Sequence, residues 1–463
     1  MCLKRLTVGA AAFAAACVCL AADPWPSYEL IANGDFEAGT VTGNYLDSGV
    51  TSAHLPGWVS TSCAKVKANG TYAKTLTGAS GQTLTIESGA RVELSGDLVT
   101  GEGANSRLGV AMADGAELAV AGTVYVWYNI FTSTRKYGTV WANGIVLDVR
   151  NNNLGFYAKR INLGPDGISF NGSTGSLHMD IGLGGAVGTY VFGAYADWTW
   201  NDGGNAYCNF YQNDVKFDTR DCIDGETPRT ITIAKASNNT AAKLYKLNPG
   251  TLVLAAPQYF TGGTFLEGGK IVVSAVNGSG TGPATLATGT TLEVAEGGVL
   301  GNATVSVPDG ATLTFKDGSG LSCAVEATGS VAIEGNMTFS GSASIAVSDN
   351  GSLTIADGVR ITVAPDVENG TLLTGSGLTE ARLREIFNTP SGAVMLNDSG
   401  DVIYTNAYAW KTALAGEDAY LKYGVLAAGN ILAGATCDDS GIARYSEDNV
   451  NTKPSATTRR GTR

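Results

Sequence analysis

Gly289-Thr290-Thr291-Leu292-Glu293-Val294 returns as Gly310-Ala311-Thr312-Leu313-Thr314-Phe315, then as Gly329-Ser330-Val331-Ala332-Ile333, and again as Gly351-Ser352-Leu353-Thr354-Ile355. The phrase recurs roughly every 20 residues, the length of a short solenoid repeat. A weaker strand pattern falls between successive phrases, at 303–307, 321–325 and 344–347. A strand this short cannot bury its apolar face alone. Coils stacked about 4.8 Å apart would pair every backbone group and set Leu on Leu inside. Alternation predicts Leu313 and Phe315 inward, Thr312 and Thr314 outward. Asp309-Gly310, Asp317-Gly318, Asn350-Gly351 and Asp357-Gly358 supply positive-φ turn positions. The predicted fold is all-β, a right-handed parallel β-solenoid over 241–375. The alternative is a pair of β-sandwiches, which also have short alternating strands but no such recurring phrase.

Composition agrees with many short strands and tight turns. The chain has 463 residues, 62 of them Gly, with 16% charged and 44% hydrophobic. Gly has no period of three, which excludes collagen. The apolar content excludes wholesale disorder. The net charge is −12, and Lys and Arg are scattered apart from a short basic tail. Nucleic acid and anionic membrane surfaces, which need clustered cations, are therefore not expected partners.

Residues 1–22 read as an export signal. Lys4 and Arg5 form the positive start, Leu6 to Leu20 the apolar stretch, and Leu20-Ala21-Ala22 the cleavage site before Asp23. An apolar stretch this short is not enough to span a bilayer. The expected address is extracellular or the outer cell surface, with no membrane span in the mature chain. Cleavage removes two cations, so −12 becomes about −14. It leaves Cys63, Cys208, Cys222, Cys323 and Cys437. Cys208 and Cys222 are the candidate disulfide, closing a small loop. With two His in the chain and no Cys/His cluster, no metal site or cofactor is expected.

Residues 23–77 stand apart. Asn33-Gly34-Asp35-Phe36-Glu37, followed by Leu55-Pro56-Gly57-Trp58-Val59, resembles the opening of extracellular jelly-roll modules of the carbohydrate-binding kind. The segment is either a partial module of that type or an N-terminal cap. Residues 78–240 read as a less regular, aromatic-rich β region. A helix at 379–387 and a hairpin at 394–404 make a C-terminal cap over 376–405. Residues 406–463 read as a poorly ordered tail.

Within 244–274, Lys246-Leu247-Asn248-Pro249-Gly250-Thr251-Leu252-Val253-Leu254 leads into Gln258-Tyr259-Phe260-Thr261-Gly262-Gly263-Thr264, closed by Gly269-Lys270-Ile271-Val272-Val273-Ser274. This resembles the autotransporter-associated β-strand repeat, also called the passenger-associated-transport repeat. The matching residues are Gly250, Thr251, Leu252, Leu254, Thr261, Gly262, Gly263 and Thr264. The resemblance implies a right-handed parallel β-helix in an exported bacterial surface or secreted protein, and no catalytic residue. The amphipathic strand series of the family's C-terminal membrane barrel is not seen.

No G-x-S-x-G, H-E-x-x-H or Walker pattern occurs, and no catalytic residue is assigned. The expected function is non-enzymatic, structural or adhesin-like. The candidate partners are an extracellular polysaccharide or a host or cell-surface protein. The second reading is a carbohydrate-binding protein that uses the aromatic region 125–211. Trp198 and Trp200 would share a strand face and stack on sugar rings, with Asp197, Asn201 and Asp202 bonding hydroxyls. Equally, these rings could fill the core of a wide coil. The third reading is a polysaccharide-active β-helix enzyme, which needs carboxylates converging on a groove.

Overall fold

The structure, a computed structural model, describes most of residues 82–406. Outside that range it describes the strands Tyr45–Leu46, Cys63–Val66, Gly70–Tyr72, Leu76–Gly78, Ala419–Tyr420, Ala435–Cys437 and Ala443–Tyr445. The export segment, most of the 23–77 cap or module and most of the 406–463 tail lie outside the described residues. Stacked parallel strands form a β-solenoid of about nine turns. The chain divides into two compact units, Met1–Lys270 and Ile271–Arg463.

In the first unit one column of register partners runs Arg91, Glu117, Thr139, Arg160, Val191, Lys216, Tyr245, Phe265. Every pairing in it is parallel. The stretch 78–240, expected to be the less regular part, therefore carries the same kind of stack. Its coils differ widely in length. The chain takes a much longer path from Arg160 to Val191 than from Thr139 to Arg160. Long loops absorb the difference, so no fixed phrase survives in the sequence. Inside, Leu118, Val140, Ile161, Phe192, Phe217 and Leu244 are all nearly or fully buried.

The second unit shows the recurring phrase directly. Thr291, Thr312, Ser330 and Ser352 are stacked register partners. Ala284, Val305, Val325, Ile345 and Leu373 form a second column. Val299, Gly320, Thr338, Thr362 and Asn388 form a third. Leu292, Leu313, Val331, Phe315 and Ile333 face inward and are buried, as alternation requires. Thr314, expected outward, is nevertheless buried beside Glu293 in its column. Gly310, Gly318 and Gly358 adopt φ of 74°, 73° and 79°, a region that Gly enters without strain. Gly351 departs from the expectation. It is not among the positive-φ residues, and a Cβ there would run into Val347 and the Ala327 carbonyl.

The C-terminal elements match the expected cap closely. The helix is Glu380–Ile386, with Thr379 Oγ1 accepting from Arg382 N. Arg382 also donates to Ala356 O at 3.0 Å and pairs with Asp357 at 3.1 Å. The hairpin joins Gly392–Leu396 to Val402–Asn406, and the latter strand pairs antiparallel with Gly370–Thr374. No helix among the described residues is long and apolar enough to cross a membrane.

Candidate functional site

The two tryptophans proposed to stack on sugar point into the coil. Trp198 is 2% exposed and Trp200 1%. Their register partners are Ile231 and Ile233, both core residues. Trp200 packs on Phe192 at 5.2 Å and Phe210 at 6.2 Å, and Phe210 on Phe260 at 5.7 Å. The gap between them, lined by Trp200, Phe210, Phe217, Ile233, Leu254 and Phe260, has room for about one water. Neither indole offers a face to a ligand, so the sugar-stacking role for Trp198 and Trp200 is corrected. The rings fill a wide coil that aliphatic side chains alone would leave loose. Asp197 and Asn201 are exposed on the outside, and Asp197 Oδ1 is occupied by the Thr230 N–H at 2.8 Å. Asp202 lies outside the described residues.

Other aromatic residues occupy the outer face of the same unit. Trp141 alternates with the buried Val140 and Ala142, so its indole lies outside, over its register partner Ala119. Tyr195 follows Thr189–Ala194 and its ring stands 6.5 Å from Trp141. It occupies the space above Gly164, where any Cβ would collide with it. Two turns beyond Val191 along the column, Tyr245 and Phe265 stack at 4.9 Å with planes 19° apart. All four rings are half-buried.

Paired charges surround them. Arg91 binds Glu93 at 2.7 Å and also Glu117, and its guanidinium lies 6.0 Å from the Trp141 ring centre. Burial alone would pull the Arg91 pKa down, but Glu93 and Glu117 together hold it above its ordinary value. Arg160 donates to Asn162 at 2.9 Å and Asp218 at 3.1 Å. Lys216 sits 5.0 Å from the Tyr245 ring and Lys243 5.8 Å from Phe265. Burial raises the Tyr245 phenol pKa, and Asp214 and Glu267 add to that.

A polar corner supports this face from below. Lys246 is fully buried. Its ammonium donates to Leu247 O at 3.1 Å, Asn248 O at 2.6 Å and Gly268 O at 2.6 Å. Desolvation pulls its pKa down to about 8, while Asp218 pulls the other way. Asn248, at φ 62°, donates to Asp218 at 2.8 Å. The repeat-like residues are thus built into one corner. Gly250, at φ 104°, presses on the Arg229 and Thr219 carbonyls. Leu252 and Leu254 are fully buried, and Thr264 nearly so. Gly262 abuts the Ala241 and Ala242 carbonyls, Gly263 takes φ 107°, and Thr251 and Thr261 reach the surface.

The Cys208–Cys222 disulfide is corrected as well. Cys222 carries a free thiol, as does Cys323. Cys222 follows Asp221, which Arg229 clamps with two guanidinium nitrogens, and the local turn closes through the Asp221 and Asp224 carboxylates. Burial pushes both thiols up to about 12, with Arg160 opposing this at Cys222. Among the described residues, no three His, Cys, Asp or Glu side chains are grouped to hold a metal. Comparison with known proteins gives no match to a family model, to a curated protein or to a solved structure.

Proposed function

We propose that this chain is an exported, non-catalytic β-solenoid that serves as a stiff scaffold outside the cell, presenting surface side chains to an extracellular partner. The observation that supports this best is where the chemistry-bearing groups stand. The described carboxylates of the first unit's face are engaged by Arg91, Arg160 and Arg229, and none lies in a groove. A hydrolase needs free carboxylates facing each other across a cleft. A stack of coils bonded through the backbone is rigid by repetition, and its outward columns can vary without disturbing the core. The basis for export is the 1–22 segment, and the repeat resemblance at 246–274 agrees with it.

The test has two readouts. Expressed in a host competent for export, the chain should reach the medium or outer surface with Asp23 as its first residue. Incubated with polysaccharides, it should release no sugar. Retention in the cytoplasm with Met1 intact, or steady release of reducing ends, would each overturn the proposal.

A further inference from the structure

The two units offer an internal comparison. In the second, one outward column reads Thr285, Ser306, Glu326, Ala346, Thr374. Another reads Thr291, Thr312, Ser330, Ser352. Small polar side chains are enough to finish the outside of a stable coil. The first unit departs from that rule on one face only, between Arg91–Leu94 and Thr264–Leu266. There the outward positions hold Trp141, Tyr195, Tyr245 and Phe265, with Arg and Lys set beside Glu and Asp. The fold does not require these rings, and large aromatic side chains are costly to leave half in water.

We propose that this outer face is a binding track for an extended neutral polysaccharide, running along the stack from Trp141 to Phe265. The inference rests on the extracellular placement proposed above. Three features select the ligand. Half-exposed rings match the C–H faces of pyranoses. Guanidinium, carboxylate and amide groups can bond paired hydroxyls, as Arg91, Glu93, Arg160 and Asn162 are arranged to do. The charges nearly cancel: Arg91, Arg160, Lys216 and Lys243 stand against Glu93, Glu117, Asp214, Asp218 and Glu267, four cations to five carboxylates. A polyanion finds no net attraction on such a face. The geometry selects a chain over a single sugar, because the rings are spread over successive strands. Trp141 and Tyr245 lie four strand steps apart, about 19 Å at about 4.8 Å per step.

The experiment is depletion of the full-length chain by insoluble cellulose, xylan, mannan and β-1,3-glucan, with immobilised polygalacturonate as the anionic control. At least one neutral polymer should retain the protein. Trp141→Ala should weaken that retention about tenfold or more, a loss typical of a stacking contact that closes over a ligand. Tyr245→Ala, at a ring the core does not use, should weaken it about threefold or more. Glu326→Ala, on the second unit's plain face, should leave it unchanged. Thermal melts of Tyr245→Ala and Glu326→Ala should overlay the parent. Equal retention of Tyr245→Ala and parent, retention by polygalacturonate alone, or no retention by any neutral polymer would each overturn the track. None of these three outcomes touches the scaffold proposal, which fails instead on sugar release in the same tubes.

Discussion

Lys246 shows how one residue holds a corner of the coil. A buried ammonium is costly, and here three backbone carbonyls surround it. Lys246→Met removes the charge and strands the carbonyls, and should destabilise the native state by about 2 kcal/mol or more at pH 7, measured by denaturant unfolding. The pH dependence has a definite sign. The folded pKa is lowered to about 8 from 10.5. Between those values the unfolded chain binds more protons, so this lysine makes stability rise with pH. The parent should gain on Lys246→Met as the pH goes from 8 to 10, and parallel curves would show that the group does not titrate in the native state. Gly250→Ala tests the adjoining turn. A Cβ there meets two carbonyls at a φ that L-residues avoid, and a loss of about 2–3 kcal/mol is expected.

At the scale of elements, the decisive question is which way a strand faces. Trp200→Ala opens a hole among Phe192, Phe210 and Phe217, and should cost about 3–5 kcal/mol in a chemical melt. The same change at Tyr245 should cost little. Alternation alone says that Trp198 and Trp200 share a face, but a period of two does not say which face. The neighbours do. Asp197, Thr199 and Asn201 flank those indoles and need water, whereas Val140 and Ala142 flank Trp141 and need the core. That signal is legible in the sequence, and it places Trp141 outside and Trp198 inside. The second unit is readable because its coils keep nearly one length and Gly marks each turn. The first is not, because loops of unequal length shift each coil by a different amount. Strand pairing then depends on contacts far apart in the chain, which no local pattern encodes. Tyr195 and Tyr245 escape a sequence reading for the same reason: they join Trp141 on one face only through the register.

The whole molecule sets the redox behaviour and address. Cys222 and Cys323 are protonated at neutral pH because burial holds their thiols up at about 12. A thiol reagent at pH 7.5 should label them slowly in the native protein and at once in denaturant. Rapid native labelling at Cys222 would show that its turn opens readily.

The C-terminal hairpin has a consequence for assembly. Each coil of a parallel stack ends in a row of open amides and carbonyls, and that row is a template for another copy. Val402–Asn406 covers Gly370–Thr374 with a strand running the opposite way, and Arg382 ties the helix beside it to the Ala356 and Asp357 corner. A chain cut after Thr374 would expose that template. It should then grow end to end into fibres once concentrated, while the intact chain stays finite. The last helix and hairpin of the described fold therefore act as a chain terminator for polymerisation, separate from any part they play in holding a single copy together.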